Sequence, residues 1–254
     1  MPQIQHLVNV LNDLQANAKE RTWLMRQQEG ELDERRLTNA LTGERSVFKR
    51  RQEAPPEIGA PQTKPKRIRF LVDLSASMYS MQYDGRLERE IKTMLMIMEA
   101  FSHVPKEKFV YDIVGHHGES SHVQMTNSTK PPESIGERWK VLRDSDATMT
   151  YVMSGDSTLE AIEWSCRDIA KQEADDYFVI ALSDANLTRY GITINSLEKV
   201  MKSNEKVKCA LICLDRGDEG KELAKRLPGK AFQVREMRAL PQVLSSILTT
   251  MLDQ

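Results

Sequence analysis

An apolar run that ends in one carboxylate and two hydroxyls constrains the fold of this chain more than any other stretch. It reads Phe70-Leu71-Val72-Asp73-Leu74-Ser75-Ala76-Ser77. Residues 68–74 are apolar apart from Arg69 and Asp73, which predicts a strand buried on both faces, as in the centre of a parallel sheet. A polar loop follows directly. The sequence therefore predicts a central strand whose carboxyl end carries the side chains of Asp73, Ser75 and Ser77.

Helical and strand patterns alternate from residue 68 onward. A methionine-rich stripe at residues 86–101 has helical spacing, and we interpret it as core packing rather than a cofactor site. Further strands are predicted at residues 108–114, 122–126, 177–182, 207–214 and 231–234, with 122–126 at a sheet edge. Further helices are predicted at 133–142, 159–169, 196–202, 221–226 and 240–252. This alternation predicts an α/β fold: a Rossmann-like, mostly parallel sheet flanked by helices on both faces, preceded by an N-terminal helical segment.

The first 67 residues have a different pattern. Residues 1–28 carry apolar side chains at helical spacing and predict an amphipathic helix, which Gly30 ends before a shorter helical piece from Glu31 to about Leu41. Arginines, lysines and prolines then predict an extended connector. We therefore divide the chain into an N-terminal helical segment (1–48), a proline-rich basic linker (49–67) and a main domain (68–254).

Composition excludes several classes of protein. Lys and Arg number 36 against 37 for Asp and Glu, so no basic field favours nucleic acid, and we predict no nucleic-acid partner. The cysteines, Cys166, Cys209 and Cys213, are too few and dispersed for a disulfide framework and are predicted to be buried thiols. No run approaches the roughly 18 apolar residues that span a bilayer, and no secretory pattern is seen. The sequence therefore predicts a soluble, intracellular protein without membrane insertion.

Oxygen-bearing side chains stand at three junctions between predicted strands and helices. They are Asp73-x-Ser75-x-Ser77, Gly155-Asp156-Ser157-Thr158 and Ser183-Asp184. In open α/β sheets, ligands bind beyond the carboxyl ends of strands. Hard oxygen ligands without clustered His or Cys favour Mg²⁺, with Ca²⁺ or Mn²⁺ as substitutes. Each motif alone is equally consistent with turn and helix-cap chemistry, but their joint occurrence predicts a metal site with room for an acidic side chain from a partner.

In this order the three motifs resemble the metal-ion-dependent adhesion site of von Willebrand factor A domains. The resemblance implies one divalent metal, a partner protein that supplies a Glu or Asp to it, and five ligands in this chain: Asp73, Ser75, Ser77, Thr158 and Asp184. This sequence departs from the family pattern at two places. Ala76 stands where glycine is frequent, and either Ser157 or Thr158 matches the second-loop ligand.

Longer blocks resemble the von Willebrand A domains of large AAA+ ATPases, most of all those of mitochondria. They are Gly85-Arg86-Leu87-Glu88-Arg89, residues 111–116, residues 153–156 and residues 182–187. Chelatase subunits and midasin carry related domains. The resemblance implies docking to a larger multiprotein assembly or an AAA+ ring, and a location in the mitochondrial matrix, with the cytoplasm as the alternative. No Gly-x-x-x-x-Gly-Lys-Ser/Thr loop is present, so ATP hydrolysis is not carried over.

We therefore predict a non-enzymatic, divalent-metal-dependent protein interaction module. The alternative is a structural subunit of a larger assembly in which the metal site is vestigial. A third hypothesis, a metal-assisted phosphohydrolase, needs a general base that the sequence does not identify. His116, His117 and His122 lack the ligand spacing of a zinc site, and we interpret them as loop histidines that face solvent or a hydrogen-bond partner.

Overall fold

The computed structural model describes residues 2–20, 23–27, 31–32, 48–51, 64–80, 82–152, 155–215 and 217–252. The chain divides into two compact units, one formed by Met1–Val8 and Thr63–Gln254 and the other by Asn9–Gln62. The α/β sheet lies in the larger unit. The division of the chain at residues 48 and 67 stays a prediction.

The N-terminal region differs from the predicted long helix. Helix α1 spans Pro2–Glu20, and Leu7 and Leu11 on it are buried, as the amphipathic pattern predicts. The prediction that the helix continues to residue 28 is wrong, because Trp23–Gln27 forms strand β1. Strand β2 spans Glu31–Leu32 and strand β3 spans Phe48–Arg51, and β3 pairs antiparallel with both β1 and β2. Pairing with a distant strand overrides the local helical pattern.

The same small sheet corrects two neighbouring predictions. The helical piece predicted from Glu31 begins in strand β2, and its residues 33–41 lie outside the described residues. The connector predicted at 49–67 contributes residues 49–51 to β3 and residues 66–67 to the next strand, while residues 52–63 lie outside the described part of the chain. Basic residues can occupy a strand when its backbone is paired, and side-chain periodicity does not show that pairing.

The main sheet has six strands. They are β4 (Lys66–Asp73), β5 (Phe109–His117), β6 (Ser120–Thr126), β7 (Tyr177–Ser183), β8 (Val207–Cys213) and β9 (Ala231–Gln233). Their order is β6-β5-β4-β7-β8-β9, and all neighbours are parallel except β5 and β6. Strand β6 is the predicted edge strand. The arrangement confirms the predicted α/β class with a mostly parallel sheet and an N-terminal helix.

Seven helices of the described residues accompany this sheet. They are α2 (Ala76–Ser80), α3 (Arg86–Ser102), α4 (Ile135–Tyr151), α5 (Thr158–Ile169), α6 (Ile194–Met201), α7 (Asp218–Arg226) and α8 (Leu240–Leu252). Leu87, Met94 and Met98 of α3 are buried, which confirms that the methionine stripe belongs to the core. All three cysteines are buried free thiols, as predicted. In the part of the chain that is described, no helix combines the length and apolar character needed to cross a membrane.

Helix α4 is longer than predicted. It runs to Tyr151 instead of ending near Leu142, and its buried positions Arg138, Leu142, Ser145 and Met149 keep helical spacing. Two of these four are polar, so hydropathy does not reveal the stripe. Arg138 is paired with Glu99 of α3, and the Ser145 hydroxyl donates to the Val141 carbonyl at 2.9 Å. Because polar side chains with such partners can be buried at low cost, the helix continues beyond its apolar segment.

Arg69 is the one basic residue in the buried part of β4. Its Nε and Nη2 donate to the two carboxylate oxygens of Asp112 in β5, at 2.9 and 2.8 Å, and its Nη1 donates to Asp168 at 3.0 Å. The guanidinium carbon also lies 5.0 Å from the centre of the Trp164 ring. This bidentate geometry, together with the second carboxylate, allows an arginine in the central strand.

Candidate metal centre

The candidate site lies where the strand order of the main sheet reverses. After β4 the chain forms β5 on one side, and it later returns to form β7 on the other side of β4. Loops from adjacent strands diverge at such a point and leave a crevice at the carboxyl ends of the strands. Asp73 is the last residue of β4 and Asp184 directly follows β7, so the topology brings these two carboxylates to the same edge.

The first loop holds its three predicted ligands in a compact turn. The Ser75 amide donates to Asp73 Oδ1 at 2.9 Å, and the hydroxyl oxygens of Ser75 and Ser77 are hydrogen-bonded at 2.9 Å. Asp73, Ser75 and Ser77 are all buried, with at most 5% of each residue exposed. The short helix α2 begins at Ala76, so the family's frequent glycine is not required for this turn. The turn therefore presents one carboxylate and two hydroxyls in contact with one another.

The third loop meets the first through Asp184. The Ser77 hydroxyl donates to Asp184 Oδ2 at 3.3 Å, and the Asn186 amide donates to Asp184 Oδ1 at 2.9 Å. Ala185, between them, has φ of 63°, in the left-handed region that few residues other than glycine occupy. The structure thus brings Asp73, Ser75, Ser77 and Asp184 together, as the sequence predicts.

The second loop places Thr158 at the first residue of α5, where it is 1% exposed. Its hydroxyl donates to Asp156 Oδ1 at 2.6 Å, and its amide donates to the same oxygen at 2.8 Å. The Ser157 hydroxyl instead donates to the His117 carbonyl at 2.7 Å and does not cap the helix. This difference favours Thr158 over Ser157 as the second-loop ligand. Thr158 is thus hydrogen-bonded to Asp156, and the charge of Asp156 contributes to raising the pKa of Asp73.

Arg86 is a functional candidate that the sequence interpretation missed. Its Nη1 donates to Asp184 Oδ2 at 2.6 Å, while its Nε and Nη2 donate to Asp84 at 3.0 and 2.7 Å. One guanidinium therefore links the loop before α3 to the loop after β7. The sequence did contain a signal for the Asp84–Arg86 pair. The residues Asp84-Gly85-Arg86 stand directly before a predicted helix, and this spacing places an acidic and a basic side chain on one turn.

The histidine interpretation needs correction. His116 and His117 lie at the end of strand β5 and are buried, so they are neither loop residues nor exposed to solvent. His117 does have a hydrogen-bond partner, since its Nδ1 accepts from the Glu119 amide at 3.2 Å. His116 Nδ1 lies 3.7 Å from Asp156 Oδ1, and burial lowers the pKa of His116 to about 4 despite that nearby carboxylate. His122 on β6 is exposed and stacks on Trp164, with ring centres 4.4 Å apart. His116 therefore contributes a neutral ring beside the second loop.

Acidic groups are concentrated at this point. Burial, and then the charges of Asp184 and Asp156, raise the pKa of Asp73 to about 8. Burial, and then the charge of Asp73, also raise the pKa of Glu90 on α3 well above its usual range. Buried carboxylates in such proximity are unfavourable unless a positive charge balances them. Among the described residues, Arg86 supplies a cation that contacts Asp184.

The donor set suits a hard divalent cation better than zinc. Two carboxylates and three hydroxyls supply only oxygen atoms, which Mg²⁺, Ca²⁺ and Mn²⁺ prefer. In the described residues no group of three or more His, Cys, Asp or Glu side chains is arranged to hold a metal, so carboxylates alone do not form a site here. The residues that fit a cation are therefore the mixed set of carboxylates and hydroxyls. A cation bound there would favour the ionised form of Asp73, which burial and the neighbouring Asp184 and Asp156 disfavour.

Two glycines in close contact fix the position of the second loop. Gly118, in the turn between β5 and β6, packs against Gly155, and a Cβ added at Gly118 would lie 2.6 Å from the Gly155 Cα. Gly155 also has φ of 152°, which side chains disfavour. Because Asp156 follows Gly155 directly, this backbone contact fixes the positions of Asp156 and Thr158.

We expect Gly118→Ala to lower the free energy of unfolding by about 1–3 kcal/mol, because backbone rather than a mobile side chain must move to admit the methyl group. Gly136→Ala on α4 is the matched control, since its Cβ would meet nothing within 4 Å, and we expect stability to stay equal or rise by up to about 1 kcal/mol. Urea unfolding measures the free energy of unfolding of both variants. Equal stability of the two variants would contradict the close contact.

Comparison with known proteins identifies the class: the chain is a von Willebrand A-domain protein. It is 41% identical over 251 residues, or 98% of its length, to von Willebrand factor A domain-containing protein 8 of Mus musculus. The chain spans 13% of the length of that relative. No protein-family model matches the chain. The similarity confirms the resemblance inferred from the motifs and is consistent with a protein interaction module.

Solved structures show the same fold at low sequence identity. BatB from Bacteroides thetaiotaomicron superimposes with a TM-score of 0.51 at 13% identity, covering 74% of this chain and 99% of that one. A variant of the PilB minor pilin from Streptococcus sanguinis gives a TM-score of 0.52 at 11% identity, covering 81% of this chain and 65% of that one. At such identities the likeness concerns the fold alone.

Proposed function

We propose that the domain binds one divalent cation through Asp73, Ser75, Ser77, Thr158 and Asp184 and uses it to capture a Glu or Asp side chain of a partner protein. Mg²⁺ is the proposed ion, with Ca²⁺ or Mn²⁺ as substitutes. The observation that carries this proposal is the junction of the first and third loops, where Ser77 bonds Asp184 beside the buried carboxylate of Asp73. Once bound, the cation would supply a positive charge that attracts a carboxylate.

The residues of this chain hold and orient such an ion. The hydrogen bond from the Ser75 amide fixes one oxygen of Asp73, and the Asn186 amide fixes one oxygen of Asp184. A cavity of about 320 Å³ opens beside Asp184 and is also lined by Asp84, Arg86, Asn186 and Asp215. Of the five proposed ligands, Asp184 lines this cavity, so a partner's side chain that entered it would lie beside the third loop. The proposed role is therefore docking, without catalysis.

The proposed partner is a protein with an exposed acidic residue, within a larger multiprotein assembly or an AAA+ ring. Support comes from the sequence blocks at residues 85–89 and 182–187, which resemble AAA+-linked domains, and from the site residues that those blocks contain. The proposed location is inside the cell, in the mitochondrial matrix or else in the cytoplasm. The alternative is a structural subunit with a vestigial metal site. Assembly with a partner that does not depend on metal would support this alternative.

Acetate, a minimal carboxylate, tests metal-dependent capture without a known partner. We expect MgCl₂ to shift the amide resonances of the three site loops in a ¹⁵N–¹H spectrum of the whole chain. Acetate at tens of millimolar should then shift the same resonances further, because the bound ion attracts it. The control is the acetate titration in EDTA, where these resonances should stay in place. Equal acetate shifts with and without Mg²⁺ would reject the proposal.

A further inference from the structure

A second cavity lies next to the cavity at the candidate metal centre. Its volume is about 330 Å³, and its lining includes Tyr83, Asp84 and Arg235. Asp84 also lines the cavity of about 320 Å³ beside Asp184, so the two cavities share this residue. One guanidinium separates Asp84 from Asp184, since Arg86 donates to the first at 2.7 Å and to the second at 2.6 Å. A protein segment held at the metal centre would therefore pass close to the second cavity.

The acidic side chains that line the second cavity all have basic partners within the domain. The ion pairs are Asp84–Arg86 at 2.7 Å, Glu88–Lys92 at 2.5 Å and Glu236–Arg238 at 2.6 Å. Because each carboxylate is already paired with a cation, the acidic part of the lining does not call for a cationic ligand.

Arg235 differs from these paired groups. Among the described residues no carboxylate lies within ion-pair distance of it, and its Nε donates to a neutral acceptor, Gln233 Oε1, at 3.0 Å. The other arginine of the lining, Arg89, is buried and donates to the carbonyls of Leu214 and Asp84 at 2.7 and 2.8 Å. Arg235 is exposed, so its terminal nitrogens can reach a ligand. A guanidinium binds a carboxylate through two parallel hydrogen bonds, which makes an acidic group the ligand that Arg235 fits.

Tyr83 indicates that this acidic group belongs to a protein segment. Its residue is 98% exposed, more than any other large apolar residue in the described part of the chain, and it lines the same cavity as Arg235. Tyrosine is enriched at protein interfaces, because its ring offers apolar contact area while its hydroxyl forms a hydrogen bond. A small free anion would use Arg235 alone, whereas a polypeptide would also cover the ring of Tyr83.

We infer that the second cavity binds a second acidic side chain of the partner, through Arg235 and beside Tyr83. This inference rests on the proposed function, in which the cation captures a first acidic side chain of the same partner. The partner then presents a segment with two acidic residues a few positions apart. Arg235 is a specificity-determining residue, because it distinguishes such a segment from one with a single acidic residue.

Short peptides with two glutamates test this role. One, two or three glycines separate the glutamates in three peptides, which places them about 7–14 Å apart in an extended chain. Each peptide has a matched form with glutamine in place of the second glutamate. Acetylated and amidated ends leave the side chains as the only carboxylates. Shifts of the amide resonances of the whole chain in MgCl₂ measure the affinity for each peptide.

Arg235→Gln should weaken the binding of at least one diglutamate peptide by about 2- to 5-fold, as expected for an exposed ion pair. The same variant should bind the monoglutamate peptides as the parent does, which also shows that it is folded. Arg235→Lys keeps the charge and should retain more affinity than Arg235→Gln. Arg143→Gln is the matched control, because Arg143 is an exposed arginine on α4 that lines neither cavity, and all its affinities should equal those of the parent.

The outcomes separate the inference from the proposed function. Parental affinity of Arg235→Gln for all three diglutamate peptides overturns the inference, and so does an equal loss for the monoglutamate peptides. In both cases the proposed function stands if the monoglutamate peptides bind the parent in MgCl₂ and not in EDTA. If the monoglutamate peptides do not bind the parent in MgCl₂, the proposed function is overturned and the inference with it.

Discussion

Asp73→Ala should abolish metal-dependent carboxylate binding and leave the sheet folded. Asp73 ends the central strand and is a ligand in the proposed site, so its loss should lower Mg²⁺ affinity by at least about 100-fold, beyond the range usual for groups outside the ligand set. The metal-free protein should lose little stability. The hydrogen bond from the Ser75 amide is worth about 1 kcal/mol, and removing a buried carboxylate repelled by Asp184 and Asp156 offsets that loss.

Calorimetric titration with Mg²⁺ measures the affinity, and circular dichroism in EDTA shows whether the metal-free protein is folded. Asp146→Ala is the matched control, since Asp146 is an exposed aspartate on α4 that is not a proposed ligand, and the variant should bind Mg²⁺ as the parent does. Retained Mg²⁺ affinity in Asp73→Ala would reject the metal centre. A collapse of the far-ultraviolet signal in EDTA would instead show that Asp73 is needed for folding.

Asp112→Ala should produce a large loss of stability, although Asp112 lies outside the proposed site. It removes both hydrogen bonds to Arg69 Nε and Nη2 and leaves the guanidinium buried with Asp168 as its remaining carboxylate. Breaking one side of a buried ion pair typically costs about 3–5 kcal/mol, a large share of the stability of an ordinary domain. The midpoint of urea unfolding measures the change.

Two companion variants separate charge from packing. Glu163→Ala removes an exposed ion pair with Arg167 on α5 and should cost no more than about 0.5 kcal/mol. The double variant Arg69→Met with Asp112→Leu replaces the pair by apolar groups and should be more stable than Asp112→Ala alone. No guanidinium is then buried without its main partner, and the partly exposed Asp168 keeps its ion pair with Lys171. A loss below about 1 kcal/mol in Asp112→Ala would contradict the importance of this pair.

The sequence predicts the parts of this structure that local patterns encode. The apolar segments at 68–74, 177–182 and 207–214 identify β4, β7 and β8, because buried parallel strands need continuous apolar side chains. The oxygen-bearing residues after β4 and β7 are adjacent once the strand order reverses, a consequence of topology rather than of spacing along the chain. Asp73, Ser75, Ser77 and Asp184 were therefore predictable as a cluster.

Features that depend on partners far along the chain were not predictable. Trp23–Gln27 fits a helical pattern and forms a strand only because β3 pairs with it. Arg69 is explained by Asp112 and Asp168, and Arg86 by its contact with Asp184, and no local pattern shows these pairs. The burial of Glu90 has a weaker signal in the sequence, namely an acidic residue on the apolar stripe of a helix.

The two-sided bonding of Arg86 bears on how quickly the site can exchange its ion. Asp84 holds the guanidinium through Nε and Nη2, and this directs Nη1 at Asp184. A counter-ion fixed in this way would keep the loops together when a cation leaves the proposed site. The entropy of ordering the loops is then lost once, on folding, and not again at each binding event. For the proposed metal site, this arrangement would favour rapid loading and release of a cation with little movement of the backbone.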